Sequence, residues 1–406
     1  MSVAASATSA AGLRTEIRAF APGPLGVALA IAAGAWLLTT SFGWRMAALF
    51  GVGAAAGLVL YHAAFGFTSA WRIFIADRRG EGVRAQMLLL AITCAVFFPL
   101  LAAGEAFGTR LTGLVQPAGV PVLAGAFMFG IGMQLGGGCA SGTLFTVGGG
   151  NTRMVITLAF FIVGSLLGTW HAPFWWAQPT LPPTSLVARF GPVAALAMSL
   201  VVFGAIFVLS VVVERRKFGR LMDATPAARA GQWLRGPWPL VIGAIGLAAV
   251  NLATLLLAGR PWGITSAFAL WGAKAAAAVG VPVETWPYWA SQTGALRGSV
   301  FGDVTSVMDV GIVLGAMLAA LLAGRFAPVW HVPARSLVAA VLGGILLGYG
   351  ARIAYGCNIG AYFSGIASGS LHGWLWLPAA FAGNVLGTWL RPAFGLSVEK
   401  TALPKC

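Results

Sequence analysis

The chain has 406 residues, of which 59% are hydrophobic and only 9% charged, with a mean hydropathy of +0.87. No water-soluble domain of this length hides so much apolar surface, so the solvent for most of the chain is lipid. The 25 Lys and Arg against 10 Asp and Glu give +15; in a soluble protein this would suggest nucleic acid, but here the basic residues flank apolar runs and nucleic acid is set aside.

Runs of about 17 to 25 apolar residues match the ~30 Å hydrocarbon core of a bilayer. The first four predict spans at 22–38, 45–62, 85–104 and 120–137. The first of them follows Arg14, Glu16 and Arg18 and lacks a convincing cleavage site, so it reads as a retained span rather than a signal sequence. Further runs predict spans at 152–170, 192–213, 239–258, 304–323, 335–355 and 373–390, about ten in all. Phe174-Trp175-Trp176 and Trp286-Pro287-Tyr288-Trp289 fall in Pro-containing stretches that read as interfacial anchors.

With the N-terminus placed in the cytoplasm and the spans alternating, 18 of the 25 basic residues fall on the cytoplasmic side, as expected when Lys and Arg resist translocation. The expectation is a multi-pass protein of a cell inner membrane with both termini cytoplasmic. The polar break 214–236, opening Glu214-Arg215-Arg216-Lys217, reads as a cytoplasmic linker.

Three segments recur in the same order in the two halves. Phe65-Gly66-Phe67-Thr68-Ser69-Ala70 matches Trp262-Gly263-Ile264-Thr265-Ser266-Ala267; the segment ending Gly138-Cys139 matches the one ending Gly356-Cys357; Gly164-Ser165-Leu166-Leu167-Gly168-Thr169-Trp170 matches Gly383-Asn384-Val385-Leu386-Gly387-Thr388-Trp389. The last pair has the small-residue spacing of close helix packing. The extra span 192–213 places the second copy upside down, which predicts two inverted-topology repeats. The organisation is therefore 1–44 as N-terminal segment and first span, 45–170 as first repeat, 171–238 as connecting span and linker, 239–392 as second repeat, and 393–406 as tail. The short segments of the two halves enter from opposite faces and must be enclosed by protein, because lipid does not accept exposed irregular backbone.

The chemistry is expected at those segments. Gly136-Gly137-Gly138-Cys139 and Gly356-Cys357 break a span and restart it as a short helix, whose free N–H groups and positive dipole end suit an anion. A thiol there suits a soft sulfur atom, although a small buried cysteine also packs well on its own account. Cys94 and Cys406 lack this context and read as inert. Arg352, in an otherwise apolar run, reads as an anion counter-charge or as a snorkelling side chain, and its counterpart in the first half is Gln134. Ser141, Thr143, Asn151, Asn358, Ser364 and Ser368 offer donors to passing oxygens or to local backbone, and Thr68, Ser69, Thr265 and Ser266 complete the expected path. Asp303 and Asp309 open a span, where an acidic residue is ordinary, although either would also suit a coupled proton or cation. Four cysteines without close pairs, and four histidines without metal-ligand spacing, signal no disulfide framework, metal or cofactor. No catalytic residues are assigned, and no nucleotide-binding loop is visible.

Gly136 to Phe145 (GGGCASGTLF) and Gly356 to Gly365 (GCNIGAYFSG) give the chain a resemblance to the YeeE/YedE sulfur-transport family over most of 45–392. The resemblance implies an all-α polytopic membrane protein, hourglass-like, with re-entrant helices meeting centrally around a pore. It also implies import of thiosulfate or a related sulfur or selenium anion, with Cys139 and Cys357 at two positions where the ion is handed along thiols, and a cytoplasmic TusA-type sulfur carrier as receiver. Some relatives have a further cysteine in the first short segment, where this chain has Phe67-Thr68-Ser69. The alternative function is a membrane sulfurtransferase whose cysteine carries a persulfide to a cytosolic acceptor; a channel or scaffold without sulfur chemistry is a third reading.

Overall fold

The computed structural model describes residues 23–222, 233–328 and 331–399. The basic flank at Arg14 and Arg18, the start of the first predicted span at Pro22, the middle of the linker and Cys406 lie outside the described residues.

The apolar runs fold as helices because a helix satisfies every backbone polar group within its own segment, the requirement lipid imposes. In chain order these are α1 (Pro24–Phe42), α2 (Trp44–His62), the short α3 (Phe67–Asp77), α4 (Glu81–Ala103), α5 (Val120–Gly136), the short α6 (Ala140–Gly148), α7 (Thr152–Trp170) and α8 (Leu186–Phe218). They continue with α9 (Leu240–Ala258), the short α10 (Thr265–Ala278), α11 (Val304–Leu322), α12 (Ala334–Ile353), a π-helix π1 (Asn358–Ser364) and α13 (Leu371–Leu390). Among the described residues nine helical segments are long and apolar enough to cross a membrane, two of which run a span and its following short helix together. The predicted tenth span is present as the 20-residue α13 but lies outside that set. The chain is a multi-pass, all-α membrane protein; its strands are two-residue pairs in loops.

The predicted 192–213 span lies inside α8, which is interrupted at Gly191 by a left-handed φ of +79° just before Pro192. The aromatic stretches do not cross: Ala172–Trp176 and Pro287–Ala290 are short helices, and the Trp176 ring stacks on Tyr288 at 6.3 Å.

Glycine brings the spans together backbone to backbone. A side chain on Gly53 or Gly57 of α2 would strike the main chain of α11 at Met308 or Ile312, and one on Gly311 or Gly315 would strike α2 at Phe50 or Ala54. The numbers rise together, so the two helices run parallel. Gly164 and Gly168 of α7 meet Ile345 and Tyr349 of α12, and Gly383 and Gly387 of α13 meet Phe127 and Ile131 of α5, two more parallel seams formed by the recurring small-residue motif. By contrast Gly125 of α5 meets Gly350 of α12 while Gly132 meets Gly343, so α5 and α12 run antiparallel. All four directions agree with strictly alternating spans. The seams lose little side-chain entropy and gain close van der Waals contact, the main source of helix association in lipid.

Candidate functional site

The run of three glycines ends α5. Gly137, at φ +97°, caps the helix by donating its N–H to Met133 O, a left-handed turn open to glycine at no cost. Cys139 follows in extended conformation as N-cap of α6; its Sγ accepts from Gly142 N at 3.4 Å and lies 3.3 Å from Ser141 Oγ. In the second half Tyr355 (φ +60°) and Gly356 (φ +152°) turn the chain, and a Cβ at Gly356 would stand 2.7 Å from Ala361 N. Cys357 is then the N-cap of π1, its Sγ accepting from Ile359 N at 3.4 Å. Both thiols are occluded, at 1% and 0% exposure. The expected placement at short-helix starts therefore holds for both cysteines.

The two capped helices touch each other and their far ends reach different loops. Beyond α6, Gly149 and Gly150 pack on Tyr61 and Phe326, and Arg153 bonds Ser336. Beyond π1, Ser368 and Ser370 accept from Leu114 N and Gln116 N, and Leu371 N donates to Thr184 O. Helix α4 reaches both groups, Glu81 lining a cleft with Ala63 and Ala64 just past Tyr61, and Leu101 lining one with Gly113 and Ser368, so the far ends of the two segments lie near opposite ends of that helix.

Around π1 lie buried polar groups without a hydrogen-bond partner among the described residues: both side-chain atoms of Asn358, Tyr362 Oη, Trp376 Nε1 and Thr68 Oγ1. They are gathered by ring contacts: Tyr362 stacks on Trp376 at 5.9 Å and meets Phe67, the neighbour of Thr68, edge-on at 6.1 Å. Leaving a buried donor unmade costs about 1–3 kcal/mol, so a cluster of them calls for a partner from outside the chain, water or ligand. Tyr362 and Trp376 were not singled out from the sequence; Tyr362 lies inside the second cysteine motif, whereas nothing in the chain near Trp376 announces its stacking.

The other expected path residues divide. Gln134 is fully buried and joins the halves, donating from Nε2 to Thr68 O at 3.2 Å and to Asn384 Oδ1 at 2.5 Å. Gly138 packs on Gly142 inside the first turn. Ser69 bonds Gly66 O and lines a cleft of about 230 Å³ with Gly66, Arg79, Glu81 and Gln86. In the second half Thr265 is buried, whereas Ser266 is exposed and donates to Thr305 Oγ1 at 3.1 Å. Thr143 and Ser368 donate to carbonyls within their own turns and Ser364 donates to Trp262 O, whereas Asn151 accepts from Met154 N as the cap of α7. Cys94 is buried against Ile366 O.

Arg352 is not beside the thiols. Its guanidinium lies 5.5 Å from the Tyr288 ring centroid in a small pocket with Trp175 and Trp176, and its Nη1 has no partner among the described residues. Three other arginines gather where α5 ends. Arg153 donates to Leu135 O and Gly136 O, Arg391 to Gln134 O at 2.6 Å, and Arg72 to Gln134 Oε1 at 3.5 Å and to both carboxylate oxygens of Glu399. Burial, then the charge of Arg72, pushes the Arg391 guanidinium down to about 10. The span-opening acids differ: Asp303 caps α11 through Ser306 N at 2.8 Å, whereas Asp309 is fully buried with neither oxygen bonded among the described residues.

The thiosulfate transporter TsuA of Spirochaeta thermophila is 27% identical over 358 residues, 83% of this chain and 95% of that protein; TsuA of Escherichia coli (strain K12) is 26% identical over 83% of the chain and 92% of its own length. The probable transporter YedE of Escherichia coli is 31% identical over 169 residues, and the match spans 42% of its length. The profile of the family described as Sulphur transport matches residues 62–386, and on that match this chain belongs to the sulphur-transport (YeeE/YedE) family.

Proposed function

We propose that the protein imports a small sulfur-containing anion, thiosulfate or a sulfur or selenium species of similar size, along a path through Cys139 and Cys357. The carrying observation is the group of unpartnered buried donors at Asn358, Tyr362 and Thr68 beside a thiol-capped helix start. An anion with several oxygens and one soft sulfur matches that set: hydroxyl and amide hydrogens receive the oxygens, and the thiol meets the sulfur. Desolvating a divalent anion is costly, and the N-terminal ends of two short helices supply partial positive charge along the way. The relatives named thiosulfate transporters support the substrate class.

In this reading the halves are inverted repeats arranged as an hourglass, a reading supported by antiparallel packing of the equivalent helices α5 and α12. The membrane is the inner one, with the termini and the Ser69 cleft on the cytoplasmic side, where a TusA-type carrier would receive sulfur. Arg352, at the opposite end, attracts the anion to the outer mouth. Uptake of labelled thiosulfate into proteoliposomes tests the path: a Cys139→Ala, Cys357→Ala double variant that transports like wild type refutes it. Retention of a covalent persulfide on either cysteine, read by mass spectrometry, would favour the sulfurtransferase alternative.

A further inference from the structure

Asp309 is the residue the bundle treats most oddly. It sits six positions into α11, is 0% exposed, and has neither carboxylate oxygen hydrogen-bonded among the described residues. An ionised carboxylate in such a place is strongly disfavoured, and the ordinary resolution is a proton. No cation among the described residues bonds it: Arg260 donates instead to Thr305 Oγ1, one turn away. Of the elements packed on α11, α1, α6 and α9 contain no titratable side chain, and α6 is capped by Cys139. Helix α2 carries Arg45 at one end and Tyr61 and His62 at the other, and α10 carries Lys274, whose Nζ is held by the carbonyls of Leu296 and Gly298. The acid on its own helix is Asp303, six residues earlier, and α9 ties this part of α11 to π1: Thr254 Oγ1 donates to Met308 Sδ, next to Asp309, and Asn251 Nδ2 donates to Ser364 Oγ.

The polar groups nearest in sequence that reach toward water lie one helical turn away. Thr305, four residues earlier on α11, accepts from Ser266 Oγ at 3.1 Å and from Arg260 Nη2 at 3.2 Å, and both of those residues are exposed. Resting on the anion-transport reading above, we infer that Asp309 is a proton-binding site whose occupancy is coupled to the anion at Cys357, so that transport is a proton–anion symport. A dianion approaching Cys357 meets repulsion from a charged Asp309 and none from a neutral one. Protonation therefore raises affinity for the anion and the anion raises affinity for the proton, by the same factor. The proton enters by the Ser266–Thr305 side, binds one carboxylate oxygen, and leaves as the anion departs. No bond other than O–H is made or broken.

Two measurements test this on the full chain in proteoliposomes. With labelled thiosulfate, an inward gradient of one pH unit should accelerate wild-type uptake by up to about tenfold, with interior acidification reported by a trapped dye. Asp309→Asn, which fixes the neutral form, should keep gradient-free thiosulfate exchange while losing both stimulation and acidification, and Asp309→Glu should restore part of each. Equal stimulation of wild type and Asp309→Asn overturns the inference. Infrared difference spectroscopy without any anion is the second measurement: wild type at neutral pH should show a protonated-carboxyl band that Asp309→Asn removes. That band in a protein that moves no thiosulfate would keep the proton site and defeat the transport reading, and its absence would defeat the proton site alone.

Discussion

The two thiol-capped helices look equivalent by position and differ in how they use their hydrogen bonds. Helix α6 is closed on itself: Cys139 accepts from the third residue on, Thr143 Oγ1 returns to Cys139 O at 2.8 Å, and Thr146 Oγ1 to Gly142 O at 2.6 Å. In π1 the thiol accepts from the second residue on, every residue is buried, and Asn358 and Tyr362 keep unspent donors. A wider π turn, common at functional sites, leaves side chains free that an α turn engages. The difference teaches that two copies of one motif can divide their bonding, the first spending its side-chain hydrogens within its own turns and the second leaving donors unbonded among the described residues.

The largest effect that separates them is conformational. Gly356→Ala, with its left-handed φ and the nearby Ala361 N, should lose about 1–3 kcal/mol of stability, seen as a lower Tm of the purified protein. Gly142→Ala, whose added Cβ meets only Cys139 Sγ at an ordinary 3.5 Å, should be neutral or stabilising by up to about 1 kcal/mol. Next, Tyr362→Phe should raise the thiosulfate concentration for half-maximal uptake about tenfold, the equivalent of about 1.4 kcal/mol, with Tm unchanged. A fall in Tm without a change in uptake would return Tyr362 to the packing core. Thr143→Val should do the reverse, losing about 1 kcal/mol of stability with uptake near wild type.

The smallest effect lies in the tail beside α3. Burial by itself would raise the Glu399 carboxyl, but the hydrogen bonds and charge of Arg72 outweigh it and hold the carboxyl below its ordinary value. A carboxyl depressed in the folded state stabilises above its unfolded value, ~4.3, and that contribution disappears as pH falls through the lower folded value. Glu399→Gln should therefore lower Tm slightly at neutral pH, by well under about 1 kcal/mol because the carboxylate is 40% exposed, and the wild type should converge on it only in acid.

The spans were readable because length and apolarity leave lipid-embedded chain few options, and the thiol caps because glycine before cysteine recurs at matched places in both halves. The π winding was not readable: Gly356, Gly360 and Gly365 permit it, but no local pattern distinguishes it from an α turn. Arg352 stands five residues before Cys357, which suggested proximity. The turn at Tyr355 and Gly356 separates them, and the guanidinium finds an aromatic ring from the far loop instead. Asp303 and Asp309 share a span start in sequence, and only packing distinguishes a helix cap from an enclosed acid. The Tyr362–Trp376 stack depends on two helices meeting, which no local pattern encodes.

The four glycine seams each join a helix from before residue 171 to one from after residue 303. Main chain lies against main chain at most of these contacts, which leaves little compliant layer along which the two parts of the chain could shear or swing apart. On the transport reading proposed above, an opening that admits an ion is then small and internal, a displacement of the short capped segments, and should leave the outline of the protein almost unaltered.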